Sequence, residues 1–173
     1  MEDSMEHYSN KVKYTARYGM LIALAFIFSY IEAMIPIPSP VPVKLGLANL
    51  VSLVGLYTIG IPGTIVISLT RIVLSGFTFG NLSSVLYGLA GGSLSLIVMI
   101  GMKQTGQFGK TGISVMGGVA HNVGQLAVFA VVMRTAGVFA YLPFLLTAGV
   151  MAGAVVGMLG GVIVNRIGVY MKD

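Results

Sequence analysis

Long apolar runs separated by short polar or proline- and glycine-rich breaks organise this chain. The runs lie at about 14–35, 45–61, 64–79, 82–102, 111–133 and 142–165. A helix needs roughly 20 apolar residues to cross a ~30 Å hydrocarbon core, and the series meets that requirement with little to spare. The pattern predicts an all-α polytopic membrane protein, a single domain over 1–173 with six transmembrane helices and a polar cytoplasmic tail at 1–13. The second and third runs are short, so one of them is expected to be broken or partly re-entrant. The first run follows basic residues, as a signal peptide does. It is long enough to span, and no small-x-small cleavage site follows it, so it reads as the first helix.

The breaks have their own physics. Between the first two runs stands IPIPSPVPV at 35–43, with prolines at 36, 38, 40 and 42. Proline at alternate positions excludes helix interior and favours an extended polyproline-like loop. Gly60-Ile61-Pro62-Gly63 turns the chain between runs two and three, and KQTGQFGK at 103–110 follows run four.

Composition sharpens the picture. Hydrophobic residues make up 56% of the 173 and charged residues 9%, against about 25% charged in an average soluble domain. A soluble domain of this size cannot hide that much apolar surface. The net charge of +5 comes from scattered basic residues without interleaved aromatics, so no nucleic-acid partner is expected. It serves better as a topology signal. With the N-terminus inside, Lys11, Lys13, Arg17, Lys103, Lys110, Arg166 and Lys172 fall on the inner side and only Lys44 and Arg134 on the outer, with Arg71 inside a span. Both termini are therefore expected in the cytoplasm of a cell whose plasma membrane, a bacterial inner membrane, holds the chain. The absence of cysteine excludes disulfides and thiolate-ligated metals or clusters.

Polar residues inside spans are costly and normally face a bundle interior or a cavity. Asn49 in the second run, Arg71 in the third, Asn81 and Tyr87 at the head of the fourth, and His121, Asn122 and Gln125 in the fifth fall in the outer halves of four spans, counted at ~1.5 Å per residue. With Lys44 they suggest a substrate-binding pocket open to the outside under the proline-rich loop. Lys44 and Arg71 would hold an anionic or carbonyl group, the amides and His121 would orient it, and Tyr87 would stack on a ring. For Arg71 an ordinary alternative is pairing with Glu32; for Asn122 and Gln125 it is interhelical adhesion. Span six carries Gly149, Gly153, Gly157 and Gly161 at a spacing of four, and Gly19 and Ala23 repeat that spacing in span one. Such stripes let helix backbones approach closely, either within the bundle or against a partner membrane protein. The second use makes these six residues candidates for partner docking.

Absences matter too. Beyond the tail the acids are Glu32 and Asp173, so there are no paired carboxylates for acid–base work or Mg²⁺–diphosphate binding. No nucleotide-binding or nucleophile-elbow motif occurs. An enzyme is not expected, nor a metal site, and transport would draw its energy from a partner.

The stretches LGLANLVSL at 45–53, RIVLSGFTFGNLSSVLYGLAGG at 71–92 and GGVAHNVGQ at 117–125 resemble the Gx transporter family, also labelled heptaprenyl diphosphate synthase component I. That family is related to the substrate-binding S components of energy-coupling-factor importers. The resemblance implies a six-helix S-component bundle that captures a small vitamin-like or isoprenoid- or quinone-related molecule. It also implies docking on a coupling protein with two ATPases, with Gly19-xxx-Ala23 as the nearest match to the docking motif of helix one. The chain is similar as well to a membrane protein of flavin-based extracellular electron transfer. That similarity implies a second reading, a quinone- or flavin-binding redox subunit with His121 as proton partner. SGFT at 75–78 is similar to a flavin-attachment sequence but lacks its upstream Asp, so covalent flavin is not expected. The synthase label implies a third reading, an accessory membrane subunit of prenyl diphosphate synthesis.

Overall fold

The computed structural model describes residues 2–35 and 46–170. The proline-rich stretch over 36–43 and Lys44 lie outside the described residues. The described residues are mostly helical: α1 Glu2–Met34, α2 Asn49–Thr58, α3 Gly60–Phe79, α4 Leu82–Thr105, α5 Lys110–Met133 and α6 Leu142–Tyr170, with a 3₁₀ turn at Ala136–Tyr141 before α6. No strand occurs among the described residues. The polar tail expected at 1–13 is helical from Glu2 onward and extends α1.

Five stretches are long and apolar enough to cross a membrane: Lys11–Met34, Gly60–Phe79, Leu82–Thr105, Lys110–Met133 and Ala136–Ile167. The span expected at 45–61 is instead the ten-residue α2. At 1.5 Å per residue it is roughly 15 Å long, half the hydrocarbon core. Its apolar composition reflects burial in protein, since every residue from Asn49 to Leu56 is buried. Elsewhere large apolar side chains face outward, among them Phe77, Ile97, Val131 and Met151. In water that surface would aggregate; in a bilayer it meets lipid. The protein is membrane-embedded.

Contacts fix the helix directions. The Tyr18 hydroxyl lies against Gly63, Arg71 donates to the Ser29 hydroxyl at 3.4 Å, and the rings of Phe26 and Tyr30 pack on Phe79 at 4.9 and 5.4 Å. So α1 and α3 run parallel. The hydroxyls of Ser52 and Ser68 bond at 3.0 Å and Gly55 faces Thr64, so α2 runs back between them. It turns into α3 through Ile59 and Gly60, the latter at φ +81. From there α3 to α6 alternate up and down, each packed on the next. α2 also touches α1, α4, α5 and α6, and so forms the core of one half of the bundle.

The α5–α6 contact is the tightest and rests on the glycine stripe. A Cβ placed on Gly153 would lie 2.6 Å from Val115 Cα and 2.8 Å from the Ser114 carbonyl oxygen. On Gly157 it would lie 2.7 Å from Thr111 Cα, and on Gly149 3.0 Å from Val119 Cα. Gly149, Gly153 and Gly157 are thus not a free docking surface for a partner protein. Helices gain no hydrophobic drive in lipid, so backbone approach is how this pair associates, and α5 already occupies the face. Gly161 has nothing within 4 Å of its Cβ position, and neither has Gly19; Gly19 and Ala23 are exposed on α1.

Basic residues collect at one end. Lys11, Lys13 and Arg17 stand at the start of α1, Lys103 closes α4, Lys110 opens α5 and Arg166 lies near the end of α6. Lys103 donates to the Leu56 carbonyl at the C-terminus of α2, a favourable place for a cation. Lys103 and Lys110 also lie over the Tyr57 ring at 4.7 and 5.5 Å, and Lys110 donates to Asn165. The opposite end has Arg134 alone among the described basic residues.

The packing gives a direct comparison. Gly153→Leu is expected to destabilise the bundle by about 1–3 kcal/mol, because the obstructing atoms are backbone and cannot yield. Gly161→Leu is expected to stay within about 0.5 kcal/mol of the parent. Thermal melting in detergent followed by size-exclusion chromatography measures both; equal losses would refute the assignment of the stripe to α5.

Candidate ligand-binding site

The short α2 has a structural consequence. Its N-terminus ends inside the bundle, level with Arg71 of α3. Polar backbone there cannot be left open to lipid. The fold answers with Glu32, whose carboxylate accepts from the Gly46 amide just before α2. Glu32 is buried, only 8% exposed. Glu32 also acts electrostatically on the buried Arg71 guanidinium. Ser29 completes this corner, accepting from Arg71 Nη1 and donating to the Ala25 carbonyl at 2.9 Å.

Asn49 opens α2 with its side chain buried, and its Nδ2 has no hydrogen-bond partner among the described residues. Arg71 Nε is in the same condition. Across α4 stand His121 and Gln125 of α5. They can approach because α4 has glycine there: a Cβ on Gly91 would lie 2.8 Å from Gln125 Cγ and 3.1 Å from His121 Cε1. A Cβ on neighbouring Gly92 would come within 4.0 Å of Arg71 Nη2. The Gly91-Gly92 pair is thus a thin wall flanked by Arg71 on one side and by His121 and Gln125 on the other. Gln125 is 1% exposed, and neither amide atom has a partner among the described residues. Asn122 spends its Nδ2 on the Leu145 carbonyl of α6 at 2.9 Å, while its Oδ1 has no partner there.

Two expected contributors sit elsewhere. Asn81 is exposed and caps α4, its Oδ1 accepting from the Ser84 amide at 2.8 Å and the Ser84 hydroxyl at 3.0 Å. Asn is a favoured N-cap because its oxygen satisfies an orphan helix amide. The Tyr87 ring packs edge-on against Phe129 at 5.9 Å, in an apolar cluster with Leu126, Val138 and Leu145. Ser29 and Gly46 were absent from the expected set. The only sequence signal for this corner was Glu32, the one acid in an apolar run.

The five residues Asn49, Arg71, His121, Asn122 and Gln125 are all at most 6% exposed. Asn49 Nδ2, Arg71 Nε, Asn122 Oδ1 and both amide atoms of Gln125 have no hydrogen-bond partner among the described residues. Among the described residues no group of three His, Cys, Asp or Glu is placed to hold a metal. Buried polar groups are normally paired, so these atoms are the candidates to bond a ligand.

These residues all fall within a family match. The family described as heptaprenyl diphosphate synthase component I matches residues 21–163. The chain belongs to that family. The match runs from the middle of α1 almost to the end of α6 and includes Glu32, Arg71 and Gln125. No curated protein and no solved structure matches the chain.

Opposite charges buried together make a testable pair. Glu32→Gln is expected to cost about 3–5 kcal/mol, since it leaves the Arg71 charge uncompensated. The double variant Glu32→Gln with Arg71→Met is expected to recover most of that loss. A double-mutant cycle on thermal stability in detergent reads the coupling; additive losses would show that the two side chains do not act on each other.

Proposed function

We propose that this chain is the substrate-binding membrane subunit of an energy-coupling-factor type importer. It would take up a small vitamin-like or isoprenoid- or quinone-related molecule. The observation that carries the reading is the set of unspent hydrogen-bonding groups above the N-terminus of α2, on Asn49, Arg71, Asn122 and Gln125. Family membership supports it through the resemblance of that family to importer subunits.

In this reading the basic end faces the cytoplasm, following the excess of Lys and Arg there. The site then lies toward the outer side, at the N-terminal end of α2. The subunit carries out no covalent chemistry. Its part is to bind and desolvate the ligand, while a partner with ATPase subunits supplies energy. Arg71 with Glu32 fixes the polar corner, and Gln125 and Asn122 read the ligand by oriented hydrogen bonds. Such a site discriminates strongly, because a ligand lacking the matching group leaves a buried amide unpaired.

Native mass spectrometry of gently extracted protein, with released molecules identified, tests the proposal. A vitamin-like or isoprenoid-related molecule, with a coupling protein retained, is the expected result. A bound flavin or quinone with a redox partner would replace the importer by an electron-transfer subunit. Co-purification with a soluble prenyl synthase and no bound small molecule would replace it by an accessory scaffold. Gln125→Leu, close in shape, is expected to lower ligand retention about tenfold or more through the loss of two hydrogen bonds, with the melting temperature held or raised. Unchanged retention would remove Gln125 from the site.

A further inference from the structure

A recess lies away from these polar residues, at the basic end. It is a groove of about 260 Å³ between α1, the α2–α3 turn and α6, lined by Arg17, Met20, Leu21, Val54, Thr58, Ile59 and Ile167. Leu21 and Val54 are buried and form its floor; Arg17 is half-buried and Met20 exposed. Thr58 is the other polar residue, and its hydroxyl donates to the Val54 carbonyl at 2.8 Å, which leaves the walls effectively apolar. The groove has room for a stretch of one hydrocarbon chain and not for a whole lipid.

The charge around it is of one sign. Arg17 is part of the lining, Lys13 lies one turn earlier on α1, and Arg166 precedes the lining residue Ile167. An apolar slot with a cationic rim at the end of a membrane bundle matches an amphiphile with an anionic head. We propose that this groove is a binding site for an anionic phospholipid, one acyl chain lying over Leu21 and Val54 and the phosphate meeting Arg17. A lipid held there would bridge α1 and α6, the first and last helices, across the C-terminal half of α2. The proposal is independent of what the buried polar site binds.

Delipidated protein in a neutral detergent is offered equal amounts of phosphatidylglycerol and phosphatidylcholine with matched chains, and bound lipids are counted by native mass spectrometry. The expected result is one tightly retained phosphatidylglycerol in preference to phosphatidylcholine. Arg17→Gln is expected to weaken that retention about fivefold, the worth of one basic residue at an anionic headgroup. Thr58→Phe, which fills the slot, is expected to remove the retained lipid while Arg17 stays in place. Arg134→Gln, at the opposite end, is the control and is expected to change nothing. Helicity and a monodisperse elution profile confirm that each variant is folded. Equal retention of the two lipids overturns the proposal, as does equal weakening by Arg17→Gln and Arg134→Gln. Displacement of the lipid by inorganic phosphate alone would overturn the part assigned to the acyl chain.

Discussion

A ten-residue helix cannot cross a bilayer, and the architecture depends on that fact. α2 fills one half of the bundle and stops. Its N-terminus lies level with Arg71 of the longer α3. Backbone amides ending at mid-depth need partners because lipid supplies none. Glu32 meets the Gly46 amide and brings a negative charge into the interior. That charge makes a buried Arg71 tolerable. The polar centre of the protein is therefore first a solution to a backbone problem. Its unpartnered donors and acceptors are what the proposed ligand would use.

Close backbone contact supplies the rigidity this arrangement needs. The α4–α5–α6 layer is held at glycine distances, by Gly91 and Gly124 between α4 and α5 and by Gly149, Gly153 and Gly157 between α5 and α6. The other layer, α1 with α3, uses aromatic rings and a hydroxyl instead, Phe26 and Tyr30 on Phe79 and Ser29 on Arg71. His121, Asn122 and Gln125 project from the glycine-packed layer, while Arg71 and Glu32 belong to the other. A ligand between them would contact both layers. That geometry offers a physical route from binding to a change in helix arrangement, since movement of one layer against the other would alter every contact at once.

The two ends of the bundle differ in the same way. One carries Lys103 and Lys110 on Tyr57 with the groove beside Arg17; the other carries the α4 cap at Asn81 and the Tyr87–Phe129 pair. The first gathers the basic residues, two of them held on the Tyr57 ring. At the second the polar groups are spent on closing helices. Asn81 and Tyr87 resemble site residues in composition, but their capacity goes to a helix terminus and to an aromatic contact.

Much was legible in the sequence because it follows from solvent and spacing. An apolar chain with few charges belongs in a membrane, long runs become spanning helices, and prolines at alternate positions end a helix. The burial of Asn49, Arg71, His121, Asn122 and Gln125 was readable too, since polar residues in apolar runs must avoid lipid. Tertiary structure decided the rest. A run such as 45–61 has the same composition whether lipid or protein surrounds it, so only packing could make α2 a short buried helix. A glycine stripe is equally suited to an internal or an external partner, and α5 settled that for Gly149, Gly153 and Gly157. Glu32 lies seventeen or more residues from the other polar positions of the centre, apart from Ser29 and Gly46. Its pairing depends on where the chain returns after α1, a property of the folded backbone that periodicity along a single helix cannot carry.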